Sequence, residues 1–282
     1  MLRIAVPNKG SLSEAVSAML TEAGYRQRRD RRELAITDPE NDVEFFYLRP
    51  RDIAVYVGRG VLDLGITGRD LLLDADVDGD AEELMALGVG RSTFRFAGPA
   101  GTYSATEDLK GLRIATSYRT LVQKYLEQAG IDATTVRLDG AIETSIRLGV
   151  ADAIADVVET GSTMRAAGLE PFGEALMESE AVLIGRGGHR PAGFDVLQRR
   201  LTGVLVASRY VLLDYDIRRD LVEQASALTP GLESPTVSPL KDGDWVAVRS
   251  MVRKEDTNRI MDALYDLGAR AILVTAINAC RI

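Results

Sequence analysis

The segment richest in chemistry is Asp156-Val-Val-Glu-Thr-Gly-Ser-Thr163, an apolar run that ends in carboxylates and turns through small hydroxyl residues into a helical stretch. Such a turn suits a phosphate. The first N–H groups of a helix point outward without partners, a glycine at 161 admits close backbone approach, and Thr160, Ser162 and Thr163 add hydroxyl donors. Asp156 or Glu159 would then face sugar hydroxyls or a magnesium ion, which prefers hard oxygen ligands. An ordinary N-capped helix after a buried strand carries the same local signature. Further polar turns share the pattern. Pro7-Asn-Lys-Gly-Ser-Leu12 sets Lys9 beside Gly10 ahead of a helix, a point charge fit for a pyrophosphate or triphosphate. Gly65-Ile-Thr-Gly-Arg-Asp70 offers amides, Thr67 and the Asp70 carboxylate, and Asp139 and Glu143 flank Gly140. Glu143 can equally serve only to complement a helix dipole. Arg49 and Arg51 bracket Pro50 at a helix start, where a cation opposes the dipole; the placement points to an anionic ligand or to solvated arginines.

The elements that must hold these turns repeat. Leu2-Arg-Ile-Ala5 opens a strand followed by a helix from Leu12 to Ala23 and a stop at Gly24; Leu112-Arg-Ile-Ala115 opens a strand followed by a helix from Leu121 to Ala129 and a stop at Gly130. Gly60-Val-Leu-Asp63 leads into an apolar run at Leu64 to Thr67, and Gly149-Val-Ala-Asp152 leads into Ala153 to Val158. Glu44 to Leu48 and Thr134 to Leu138 read as strands, Pro50 to Gly58 and Ala141 to Leu148 as helices. Two α/β lobes follow, and because open α/β sheets bind ligands beyond the carboxyl ends of their strands, two facing lobes make a polar-lined cleft. The spacing predicts lobe I over residues 1–93 with 181–208, including a strand at Leu201 to Ser208, and lobe II over 94–180, with a link around Arg91 to Gly101. Residues 209–282 read βαββαβ, a ferredoxin-like unit.

Composition excludes other classes. The 282 residues carry 42 acidic and 34 basic side chains for a net charge of −8, which argues against nucleic acid as the main partner. No apolar run is long enough for a membrane span and the start lacks the features of a secretory signal, so a cytoplasmic protein is expected. The single Cys280 and single His189 supply neither a disulfide nor a tetrahedral zinc site, and His189, in the loop Arg186 to Gly193, has no nucleophile with an orienting partner nearby. A solute-binding or ligand-sensing protein without turnover remains a second reading of two lobes and a small module; the donor-type loop with its acids is the feature such a binder would not need.

As a set, Pro7-Asn-Lys-Gly10, Gly65-Ile-Thr-Gly68 with Asp70, Asp152-Ala-Ile-Ala-Asp-Val-Val158 with Thr160-Gly161, and Pro230-Gly-Leu-Glu-Ser-Pro-Thr236 resemble the long form of the ATP phosphoribosyltransferases of histidine biosynthesis, over nearly the whole chain. The resemblance implies a two-lobed catalytic core of the periplasmic-binding-protein type and a C-terminal regulatory domain that senses histidine. It implies magnesium-dependent transfer of phosphoribosyl from phosphoribosyl pyrophosphate to N1 of ATP, with histidine as inhibitor and dimers assembled into hexamers. On this resemblance Thr160, Gly161, Ser162 and Thr163 surround the 5-phosphate, and Asp156 and Glu143 lie near the ribose hydroxyls, either being a candidate magnesium ligand. Lys9, Gly10, Asp70 and Tyr118 lie near the pyrophosphate or nucleotide, with Arg49 and Arg51 as further anion-binding candidates. Histidine is placed near Asp216, Leu232, Ser234, Thr236 and Ala271. The loop of the nucleotide-salvage phosphoribosyltransferases is similar, but those usually carry two adjacent acids where this chain has Ala155 and Asp156.

Overall fold

The structure is a computed structural model and describes residues 1–77, 80–158, 161–241 and 243–281. Its contacts divide it into two compact units, one essentially Met1–Phe194 and one essentially Asp195–Ile282.

The first unit holds both lobes. Lobe I contains β1 (Leu2–Pro7), α1 (Ser11–Glu22), β2 (Ala35–Asp38), β3 (Val43–Leu48), α2 (Pro50–Gly58), β4 (Leu64–Gly68), α3 (Arg69–Asp74) and β5 (Ala81–Ala86). Lobe II contains β6 (Ser92–Pro99), β7 (Arg113–Thr116), α4 (Arg119–Ala129), β8 (Thr134–Arg137), α5 (Thr144–Arg147), β9 (Ala153–Val158), α6 (Ser162–Ala166) and β10 (Leu169–Ser179). The chain then returns to the first sheet as β11 (Ala181–Arg186), giving the orders β2-β3-β1-β4-β11-β5 and β10-β6-β9-β7-β8. Each sheet has the same heart: a first strand between two parallel neighbours, with an antiparallel fourth strand supplied by a segment that crosses between lobes. This is the two-lobed arrangement of the periplasmic-binding-protein type.

The sequence echo is a structural repeat. Ile4 pairs with Leu64 as Ile114 pairs with Ala153. The Arg3 N–H donates to Asp63 Oδ2 at 2.8 Å and the Arg113 N–H to Asp152 Oδ2 at 2.9 Å. Each arginine also reaches back to the preceding loop, Arg3 Nη1 to the Val61 carbonyl at 3.0 Å and Arg113 Nη1 to that of Gly149 at 2.8 Å. The repeated Leu-Arg-Ile-Ala and Gly-Val-x-Asp therefore encode one device, an aspartate that closes the start of a parallel pair.

Three expectations need correction. Arg91 to Gly101 is not a linker: Ser92–Pro99 is an inner strand of lobe II whose Phe94 and Phe96 are fully buried, and the crossings lie at 87–91 and around Glu180. Ala141 to Leu148 forms a helix only at Thr144–Arg147, because Gly140 and Ala141 both take positive φ. Leu201 to Ser208 is not a strand of lobe I. It belongs to α7 (Phe194–Arg209), where Phe194, Leu197, Leu201 and Val204 repeat at helical spacing and are all buried, and from Asp195 the chain clusters with the C-terminal unit.

That second unit continues with β12 (Tyr210–Arg218), α8 (Val222–Leu228), β13 (Thr236–Pro239), β14 (Trp245–Arg253), α9 (Thr257–Asp266) and β15 (Arg270–Ala276). The sheet is antiparallel throughout in the order β13-β14-β12-β15, the ferredoxin-like arrangement. Its core alternates along the strands: Val211, Leu213, Tyr215 and Ile217 on β12 face Ala225, Ile260 and Leu264 of the helices.

Candidate functional site

The parallel strands of lobe I end together. Pro7 pairs with Leu48, and the Asn8 N–H donates to the Leu48 carbonyl at 2.8 Å, so the turn carrying Lys9 and Gly10 adjoins the one carrying Arg49 and Arg51. Thr67 Oγ1 ties β4 to the same place by donating to the Pro50 carbonyl at 2.8 Å. Lys9 and Arg49 are exposed, and Gly10 has φ +84°, which lets the chain reverse into α1. Residues missed in the sequence join Lys9: Arg28, Arg29 and Arg31 line with Asn8, Lys9 and Gly10 a recess of about 220 Å³. Arg28 lies 4.1 Å over the Tyr47 ring and donates to the Asn8 carbonyl at 2.6 Å. No short-range pattern links Arg28 to Lys9; β3 brings them together.

Arg51, Asp70, Tyr118, Asp156 and Glu143 converge where the lobes face each other. The first turn of α2 places the Arg51 cation against the helix dipole, and the compensating anion is the protein's own: Arg51 Nη1 meets Asp74 Oδ2 at 2.5 Å. Its guanidinium also lies 4.8 Å over the Tyr118 ring of lobe II. Asp70, in the first turn of α3, is only 6% exposed. Ser179 Oγ, at the end of β10, donates to its carboxylate at 2.6 Å and accepts from the Asp70 N–H at 3.1 Å. Gly68 is required here, because a Cβ on it would strike the Asp70 carboxylate. Burial, then the Asp70 carboxylate that its hydroxyl meets, push the Tyr118 phenol well above its usual range, so it is a neutral donor.

Asp156 stands at the end of β9. Burial pushes its carboxyl up to about 6, and the nearby Glu143 and Asp70 charges add to the shift, against the Val157 N–H and Arg51. Three carboxylates thus share a region with one arginine, and Asp156 ionises fully near neutrality only at a cost that a cation would offset. Gly161 takes φ +67° at the entrance of α6, a five-residue helix, a conformation that glycine adopts without strain. Ser162 and Thr163 are exposed at its start. Thr160 and Glu159 lie outside the described residues. Asp139 is exposed and near Arg137, at 3.9 Å.

Among the described residues no group of three or more histidine, cysteine or acidic side chains is arranged to hold a metal by itself. Asp156 and Glu143 nonetheless fit magnesium, an ion that binds through one or two carboxylates, with phosphate oxygens and water completing its shell.

In the C-terminal module, Asp216 lies on β12 opposite Arg270, at an irregularity that puts Ala271 at φ +47°. Thr236 lies on β13, and Leu232 and Ser234 in the loop before it. Thr236 and Ala271 therefore occupy opposite edge strands, three strand spacings or about 14 Å apart.

Comparison with known proteins gives the family. Residues 49–203 match the family model described as ATP phosphoribosyltransferase, and residues 207–279 match the one described as the HisG C-terminal domain. The chain belongs to the ATP phosphoribosyltransferase family. ATP phosphoribosyltransferases of Pseudarthrobacter chlorophenolicus and Streptomyces coelicolor are 71% and 60% identical to it, each alignment covering 100% of both chains. Among solved structures, a chain of the ATP phosphoribosyl transferase (HisG:HisZ) complex from Thermotoga maritima superposes with a TM-score of 0.61 at 26% identity, covering 73% of this chain and 98% of that one. The C-terminal match identifies the long form of the family. Among the described residues no helix is long and apolar enough to cross a membrane.

Proposed function

We propose that the protein transfers the 5-phosphoribosyl group of phosphoribosyl pyrophosphate to N1 of ATP, releasing pyrophosphate, as the first step of histidine biosynthesis. The observation that carries this reading is the convergence of Asp156 and Glu143, from lobe II, with Arg51 and Asp70, from lobe I, beside a glycine turn at the end of β9. Displacement at the anomeric carbon builds positive charge on the ribose and negative charge on the leaving pyrophosphate. Asp156 and Glu143 stabilise the first by proximity, and Lys9, Arg49 and Arg51 attract the second. Gly161, Ser162, Thr163 and the adjoining Thr160 hold the 5-phosphate. The N1 lone pair of adenine needs no general base, which fits a site built without histidine. Tyr118, held neutral, and Gly10 position the nucleotide and pyrophosphate by hydrogen bonding. Asp156 or Glu143 would hold magnesium, which would supply charge neutralisation at the leaving group. Orienting two large substrates between lobes accounts for much of the remaining acceleration.

Histidine is the proposed effector of the C-terminal module. Thr236 and Ala271, on opposite edge strands about 14 Å apart, lie too far from each other within one sheet for one small amino acid to touch both. The site would therefore join edges from two copies of the chain, in keeping with a homo-oligomer of dimers. Inhibition then acts on the distant cleft through a change of conformation or assembly.

The test mixes protein, ATP, phosphoribosyl pyrophosphate and magnesium. The expected result is a change in adenine ultraviolet absorbance with stoichiometric pyrophosphate release. Tight binding of both compounds without either signal would favour a ligand-binding protein instead.

A further inference from the structure

Helix α4 of lobe II begins at Arg119 without the means to cap itself. Its N-cap residue is Tyr118, whose side chain makes no capping hydrogen bond, and its first turn holds no acid. Its unpaired amides and positive dipole end need an acceptor. One is provided from the other lobe: Asp74 Oδ1 accepts the Leu121 N–H, the third of the helix, at 3.1 Å. An N-cap side chain makes this bond in an ordinary helix; here the acceptor lies 47 residues earlier. Asp74 itself ends α3, where an acid opposes the local dipole, so its position is unfavourable within its own lobe. Its side chain is 8% exposed, with its other oxygen on Arg51. One turn further along α4, Lys124 Nζ reaches Asp76 at 2.9 Å, and Arg51 Nη2 lies 3.5 Å from Ser117 Oγ. Docking of α3 on α4 thus supplies the acceptor that the start of α4 lacks, while the Arg51–Asp74 pair lies within lobe I.

We infer that Asp74 is the latch between the lobes: its carboxylate caps α4 in trans, holds the cleft closed and, through Arg51, fixes the cation that faces Tyr118. The two oxygens divide the work, Oδ1 joining the lobes and Oδ2 orienting Arg51. Opening the hinge breaks the first bond and leaves the second intact. Asp74 is a positioning residue, acting through Arg51 and through the approach of the lobes. The inference concerns the cleft of the proposed reaction, but it is tested without substrate.

In the full-length protein with Cys280→Ser, spin labels at Tyr56→Cys on α2 and Glu127→Cys on α4 report the interlobe distance, and hydrogen exchange reports the Leu121 amide. Asp74→Ala is expected to add a longer-distance population and to speed exchange at Leu121 about tenfold or more, as loss of a charge-assisted hydrogen bond predicts. Asp74→Asn, which keeps an acceptor oxygen but no charge, is expected to give smaller changes in the same direction. By the same population shift, Asp74→Ala should raise the KM for phosphoribosyl pyrophosphate up to about tenfold, and kcat should fall with it because Arg51 loses its orienting partner. Distances and Leu121 exchange that match wild type in both variants would overturn the latch, as would a loss of kcat at unchanged KM. The distance and exchange results do not depend on the identity of the reaction, because both are read in the ligand-free protein.

Discussion

Asp156→Asn offers the sharpest separation of function from stability. The folded carboxyl titrates at about 6 against an ordinary 3.8, chiefly because of burial. Between these values the folded state binds more protons than the unfolded one, so stability falls as pH rises through that window, and the loss is complete above about pH 6. A shift of about two units at 1.36 kcal/mol each gives a penalty of order 3 kcal/mol near pH 7, or about 2 kcal/mol after allowing for the partial solvation of the carboxylate. Asparagine keeps the shape and removes the charge. Hydrogen exchange of the β9 amides, compared between variant and wild type at the same pH so that intrinsic rates cancel, measures the local free energy. Near pH 4 the two proteins should exchange alike. At pH 7 the variant should exchange about thirtyfold more slowly, while its turnover collapses because the ribose cation and magnesium lose their carboxylate. A variant advantage that does not grow with pH, or a variant less protected at pH 7, would refute the electrostatic reasoning.

Gly161→Val should weaken binding of phosphoribosyl pyrophosphate about tenfold or more by calorimetry, because a β-branched residue at φ +67° is strained by about 1–3 kcal/mol and its Cβ would lie 3.1 Å from Arg165 Nη1. Gly68→Ala should displace the Asp70 carboxylate from Ser179 and lower activity, and the companion Ser179→Ala should reproduce part of that loss; full activity in both would remove Asp70 from the site. Asp216→Ala should raise the apparent histidine inhibition constant about tenfold or more, as expected for a lost hydrogen bond to a charged group, with uninhibited turnover retained; joint loss of both activities would give the module a structural role instead.

Legibility in the sequence followed the range of the interactions. The paired echoes at Arg3 with Asp63 and Arg113 with Asp152 were readable because a local motif repeats and each copy makes the same bonds. Turns at Lys9, Asp70 and Gly161 were readable because glycine and small polar residues punctuate strand ends. The run from Leu201 to Ser208, apolar and β-branched, imitates a strand until Phe194 and Leu197 reveal the helical period of Phe194–Arg209. The placement of Arg51 points to an anionic ligand or to solvated arginines, but its partner is Asp74, 23 residues away on another helix. Asp74 and Ser179 carry no local signature, because each acts on a residue brought near only by the fold, Ser179 on Asp70 across 109 residues.

The central claim is that the turn after β9 grips the sugar donor. A crystal soaked with phosphoribosyl pyrophosphate tests it most directly. The account predicts the 5-phosphate against the Gly161, Ser162 and Thr163 amides and hydroxyls, with the ribose facing Asp156 and Glu143. A donor bound elsewhere, or a turn filled by the protein's own side chains at saturating donor, would contradict it.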